Sequence, residues 1–181
     1  MPNNKNILEV INLSKNFGGL AAVNNCSLKI KKKSITGVIG PNGSGKSTLF
    51  NLISGTIKPT SGKVIFNEEN ITGFPPHELF KKGILRTFQI PHEFSNLTVL
   101  ENLMMVPPNQ SGENLVNALF NRNKFSIEEK NIKKKAIEVI EFLNLIKLTN
   151  ELAGNLSGGQ KKLLELGRTM MTDSKIVLLD E

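Results

Sequence analysis

The tightest constraint on this chain is the stretch Gly40-Pro41-Asn42-Gly43-Ser44-Gly45-Lys46-Ser47, preceded by apolar Ile35 to Ile39 and followed by Thr48 and apolar Leu49 to Ile53. It fits the pattern G-x-x-x-x-G-K-[ST]. Three glycines can take positive φ and bring bare backbone close to a ligand. Lys46 then opens a helix, whose N-terminus adds a positive dipole and unpaired donors. Such a loop is built to hold an anion. In this pattern Lys46 reaches the β- and γ-phosphates of a nucleoside triphosphate, and the Ser47 hydroxyl ligates Mg²⁺. The alternative is a glycine-rich turn that merely precedes a lysine. Glycine is about 7% of ordinary sequence, so the pattern arises by chance in about one per cent of such chains or fewer. Residues 40 to 48 are therefore the candidate nucleotide-binding loop.

The 181 residues allow one sizeable domain, or one and a piece. No window holds 18 consecutive apolar residues, which argues against a membrane span. The start, Met1-Pro2-Asn3-Asn4-Lys5, lacks the apolar run of a secretory signal. Cys26 stands alone in an alternating segment and is expected to be a buried structural thiol in a reducing compartment. The net charge of +7 invites a nucleic-acid hypothesis. However, the lysines are spread along the chain, with short runs only at Lys31 to Lys33 and Lys133 to Lys135, and Trp and Tyr are absent. Solvated faces account for such runs, and no nucleic-acid partner is expected.

Taken in order, Ile7 to Leu13 and Val23 to Ile30 predict strands on either side of a turn around Asn16-Phe17-Gly18-Gly19. Ser34 to Ile39 predicts the strand that feeds the loop, Lys46 to Ser54 the helix behind it, and Gly55 its C-terminal stop. Lys63 to Phe66 predicts a short strand, Pro75-Pro76 a helix start ended by Gly83, and Ile84 to Phe88 a strand delivering Gln89. From Pro91 to Asn155 the pattern turns helical. Thr98-x-x-Glu101 and Ser126-x-x-Glu129 both read as capping boxes. The second would open an amphipathic helix with Ile132, Ala136, Val139, Ile140 and Leu143 on one face. Met104 and Met105 read as helix-packing residues. Leu156-Ser157-Gly158-Gly159-Gln160 is a third capping box, oddly carrying two glycines in a first helical turn, where they cost stability. The glycines make sense if bare amides must meet an anion. Ile176 to Leu179 reads as a buried parallel strand that delivers Asp180 and Glu181.

Together, the loop at 40–47, Gln89 after a strand, L-S-G-G-Q at 156–160 and I-V-L-L-D-E at 176–181 resemble an ABC ATPase across the whole chain. Narrower likeness is carried by Phe17-Gly-Gly-Leu-Ala-Ala-Val23, Asn51 to Gly55, Arg86-Thr-Phe-Gln-Ile90 and Leu97-Thr-Val-Leu-Glu-Asn-Leu103. These are similar to the ATP-binding subunits of branched-chain amino acid importers; relatives that move lipopolysaccharide or urea share much of the pattern. The resemblance implies an α/β fold: a P-loop NTPase (RecA-like) core with an N-terminal antiparallel β portion and an inserted helical subdomain, incomplete at the C-terminus. Residues 1–90 and 161–181 would form the core and 91–160 the helical subdomain.

The resemblance also implies roles. Asp180 would hold Mg²⁺ together with Ser47 and Gln89, Gln89 would sense the γ-phosphate, and Glu181 would be the general base, with Gln89 and Lys46 its catalytic companions. Phe17 would stack on adenine. Leu156, Ser157, Gly158, Gly159 and Gln160, the family's signature motif, would contact ATP held by the opposite subunit of a head-to-tail dimer. The implied partners are that second ATPase subunit, transmembrane permease subunits on other chains and, indirectly, an extracytoplasmic solute-binding protein, at the cytoplasmic face of the inner membrane. The competing function is a soluble ABC ATPase acting on nucleic acid or ribosomes; such proteins carry tandem units or coiled-coil inserts, and neither is visible here. The family continues beyond the position of Glu181 through a switch histidine, and His77 and His92 do not occupy that place. Residues 1–181 are therefore expected to be a fragment that hydrolyses little ATP alone.

Overall fold

The computed structural model describes residues 5–87, 93–107 and 122–179. β1 (Asn6–Phe17) and β2 (Leu20–Lys31) form a long antiparallel hairpin closed at Phe17 and Leu20. β3 (Ser61–Phe66) pairs with the other edge of β1, and the two-residue β4 (Glu69–Asn70) with β3, giving the sheet order β2-β1-β3-β4. The hairpin is irregular in a useful way. Asn12 and Asn25 take positive φ, 47° and 48°, and their amides leave the ladder for the hydroxyls of Ser27 and Ser14. The bulge at Asn12 breaks the two-residue alternation, so Leu13 points to the same buried side as Leu8 and Val10.

Helix α1 (Lys46–Ile53) follows the glycine-rich loop and buries Leu49, Leu52 and Ile53. α2 (Pro76–Lys82) starts on Pro75-Pro76 and stops at Gly83, φ 98°. β5 (Ile84–Arg86) pairs in parallel with β6 (Ile176–Leu178). These apolar faces share one core with Leu8, Val10, Leu13, Val64, Phe66, Leu79 and Leu178. Cys26 packs against that core but is only half-buried, short of the full burial expected.

The expected strand at Ser34 to Ile39 does not form. The segment has no ladder partner among the described residues, and Ile35 and Ile39 are 104% and 95% exposed. A strand that apolar on both faces is stable only inside a sheet, and without a neighbour its propensity is not expressed.

The remaining elements are helical. α3 (Val99–Met104) carries the predicted capping box, with the Thr98 hydroxyl accepting from the Glu101 amide and the Glu101 carboxylate accepting from the Thr98 amide. α4 (Arg122–Phe142) already runs through Arg122, so Ser126 lies inside the helix and caps nothing. A Ser-x-x-Glu pattern caps only where the chain before it leaves helical geometry, and here it does not. α5 (Gly158–Met170) realises the third box: Ser157 and Gln160 cap each other through side chain and backbone. Val99, Leu103, Ala136, Val139, Ile140, Leu143, Leu156, Leu164 and Met171 form the core of this part. Met104 packs against it, whereas Met105 is exposed.

By packing, the described residues up to Arg86, with Lys175 onward, form one compact unit, and those from Thr87 to Ser174 a second. The whole of α5 belongs to the second. There Gly167 lets α5 approach Leu143, Leu103 and Val139 so closely that a Cβ on it would lie 2.8 Å from Leu143. Among the described residues no helix is long and apolar enough to cross a membrane.

Candidate nucleotide site

The loop of residues 40–48 is shaped by two left-handed glycines, Gly43 at φ 80° and Gly45 at φ 91°. Gly45 is also sterically required: a Cβ would lie 2.3 Å from the Ala22 carbonyl oxygen of β2. Gly40 does not use positive φ; its freedom from a Cβ makes room for the Ser44 hydroxyl, which would lie 2.7 Å away. Pro41 accepts a bond from the Ser44 amide at 3.2 Å, and Asn42 lies at the exposed crest.

Gly45 occupies the N-cap position of α1 and offers no side chain to cap it. The helix's first amides, with the positive end of its dipole, therefore carry no side-chain cap from Gly45 and are open to an anion held by the loop. No acidic residue lies in the first turn to compete with an incoming anion. The Lys46 ammonium donates to the carbonyl oxygens of Gly40 and Pro41 at 2.8 and 2.9 Å, which holds the loop rolled around its own cation. A phosphate entering the cradle meets that ammonium within the loop. Ser47 is exposed and Thr48 half-buried one position further along. The loop thus fits a triphosphate on geometric grounds: bare amides, one positioned cation and a hydroxyl.

The rear of α1 is tied down as well. Asn51 accepts from the Arg86 guanidinium, joining α1 to β5. β5 is the strand that leads toward Gln89. Gln89, Asp180 and Glu181 lie outside the described residues. Phe17 stands at the end of β1, half exposed, with the Lys15 ammonium 5.1 Å from its ring centroid. One face of the ring already carries a cation, and a stacked base would use the other. His77 is a surface residue, as expected; His92 lies outside the described residues.

In the second unit, Ser157, Gly158 and Gly159 are exposed at the start of α5. A Cβ on Gly158 or Gly159 would meet nothing within 4 Å, in contrast to crowded Gly167 on the same helix. Among the described residues nothing in the packing asks for glycine there. The Ser157 hydroxyl accepts from the Gln160 amide at 3.4 Å, which leaves its own proton for an external acceptor.

Residues the sequence reading did not weigh include Ala22, whose carbonyl backs Gly45, and Glu93, which pairs with Lys161. Neither carries a motif; spacing across more than twenty residues cannot reveal such pairs.

Comparison with known proteins identifies the family. Residues 23–181 match the ABC transporter family. The probable branched-chain amino acid transport ATP-binding protein LivG of Archaeoglobus fulgidus is 48% identical over 97% of this chain and 67% of its own length. The corresponding protein of Methanocaldococcus jannaschii is 45% identical over the same shares. A crystal structure of a nucleotide-free ATP-binding cassette from an ABC transporter superposes with a TM-score of 0.77 at 43% identity, covering 98% of this chain and 69% of that one. A dimeric ATP-binding cassette bound to ADP and Pi superposes at 0.73 and 27% identity, over 96% of this chain and 73% of that one. The chain thus spans about two thirds of the length of these curated relatives. Sharing the P-loop NTPase fold of these cassettes, the chain belongs to the ABC transporter family, as an ATP-binding and ATP-hydrolysing subunit.

Proposed function

We propose that this chain powers uptake of branched-chain amino acids, or a related small polar solute, through membrane permease subunits on other chains. The observation that carries this reading is the 48% identity, over 97% of the chain, to a branched-chain amino acid transport ATP-binding protein. The subunit would sit peripherally on the cytoplasmic face of the membrane, fed indirectly by an extracytoplasmic solute-binding protein.

In the mechanism, the amides of Gly43 to Thr48 and the Lys46 ammonium hold the β- and γ-phosphates of ATP, and Phe17 stacks on the base. Ser47, Gln89 and Asp180 would hold Mg²⁺, which offsets the negative charge on the transferred phosphoryl group. Glu181 takes the proton of the attacking water. Ser157 and the amides of Gly158 and Gly159 close over ATP bound by a second ATPase subunit. The open space at both glycines supports this, because a ligand from outside the chain gives them a purpose that internal packing does not. ATP binding then draws two subunits together, and hydrolysis releases them.

The test is transport. The gene is co-expressed with its cognate permease and binding-protein genes, and uptake of labelled leucine, urea and a sugar is followed with and without Lys46→Ala. ATP-dependent leucine uptake that vanishes in the variant is expected; uptake of urea alone, or of none of them, would overturn the substrate assignment.

A further inference from the structure

The Glu93 carboxylate and the Lys161 ammonium stand 2.7 Å apart with side chains only 10% and 26% exposed. Glu93 lies four residues beyond Gln89, and Lys161 immediately follows Gln160 of the signature motif. The Lys161 amide bonds to the Ser157 carbonyl at 2.9 Å, so this ammonium belongs to the first turn of α5. A cation there opposes the helix dipole. Local helix physics does not explain the lysine, but Glu93 does. Removed from water, such a charge-assisted bond holds harder than a surface ion pair, and losing either partner leaves an uncompensated charge.

Two further contacts repeat the connection. The Arg168 guanidinium, two turns along α5 from Lys161, lies 5.3 Å from the Phe94 ring centroid. The amides of Ala153 and Gly154, just before the signature motif, donate to the carbonyls of Leu97 and Ser95 at 2.9 and 3.0 Å. Fully buried Asn102 fixes the near side of this segment: its side chain accepts from the Phe94 amide at 2.9 Å and donates to the carbonyls of Phe94, Leu97 and Thr98. One contact would let the segment pivot on α5. Two contacts at separate turns fix both its position and its direction.

We propose that Glu93 and Lys161 are positioning residues that clamp the segment following Gln89 to the signature helix, so that a displacement of one is carried to the other. The proposal rests on the reading of Ser157 to Gln160 as the lid on a partner's ATP. Under that reading, the clamp links the segment downstream of the residue that senses the γ-phosphate with the element that covers a phosphate in the opposite subunit.

The test is site-resolved amide hydrogen exchange on the full 181-residue chain and on Lys161→Met, Glu93→Gln and the reversed pair Glu93→Lys with Lys161→Glu. Each single variant is expected to speed exchange about tenfold in residues 93–98 and 157–164 together, while amides around Ala136 to Ile140 of α4 keep their rates. The reversed pair restores both segments. Faster exchange in only one segment, in neither, or throughout the unit, or no recovery in the reversed pair, overturns the proposal. Failure of the lid reading would show separately, as Mg-ATP-dependent association that survives Ser157→Arg.

Discussion

The Ala22 carbonyl oxygen occupies the space that a side chain on Gly45 would need, 2.3 Å from an ideal Cβ. The phosphate loop is therefore braced by the β1–β2 hairpin and not only by its own turns. Gly45→Ala must both clash with that carbonyl and adopt φ 91°. It is expected to lower stability by about 2 kcal/mol or more and to weaken nucleotide binding. Gly158→Ala, by contrast, meets open space in a helical first turn and should leave stability unchanged or slightly raised. Its loss should appear only in Mg-ATP-dependent association. Thermal melts and sedimentation of the two variants side by side separate the cases.

Lys46→Ala removes the ammonium that bridges Gly40 and Pro41. Affinity for Mg-ATP, followed by calorimetry, should fall by about a hundredfold or more, since a charge-assisted contact to two phosphates is lost. Unchanged affinity would remove residues 40–48 from the nucleotide site.

Asn102→Leu keeps the volume of a fully buried side chain but deletes its four hydrogen bonds around Phe94 to Thr98. The Phe94 amide and three carbonyls lose a partner at once, so a loss of about 2–4 kcal/mol is expected in denaturant melts. Thr98→Ala, which breaks only the exposed capping box of α3, should cost about 1 kcal/mol.

Much of this could be read in the sequence, and the failures have physical reasons. The loop, the boxes at Thr98 and Ser157 and the apolar face of α4 were legible because each is a local pattern with one energetic meaning. Ser126 misled because a capping box depends on the residue before it leaving the helix, and Arg122 to Phe125 continue it. Ser34 to Ile39 misled because strand propensity is a conditional property that needs a neighbouring strand to act on. The Glu93–Lys161 pair and the Ala22–Gly45 contact were invisible because they join residues far apart in sequence without a recurring spacing.

The Glu93 pair also sets a pH dependence. Bonding to Lys161 holds the Glu93 carboxyl below its ordinary value of 4.5. Above that value both folded and unfolded chains are ionised there, and the pair's full contribution is present. As pH falls through 4.5 toward the depressed folded value, the unfolded chain takes up the proton first and the contribution is lost. Denaturation midpoints should therefore fall with pH in that window, with a shallower slope in Lys161→Met. Equal slopes in the two proteins would show that other carboxyls set the dependence.

Residues 34–39 carry a last consequence. Their exposed isoleucines, outside any ladder among the described residues, lie directly upstream of the phosphate loop. A strand-prone stretch without a neighbour welcomes any other extended polypeptide, including a neighbouring molecule's copy of itself. Concentrated solutions of this chain would then lose ATP binding through clumping while the rest of each molecule stays folded. The stretch that aims the loop is also its adhesive margin.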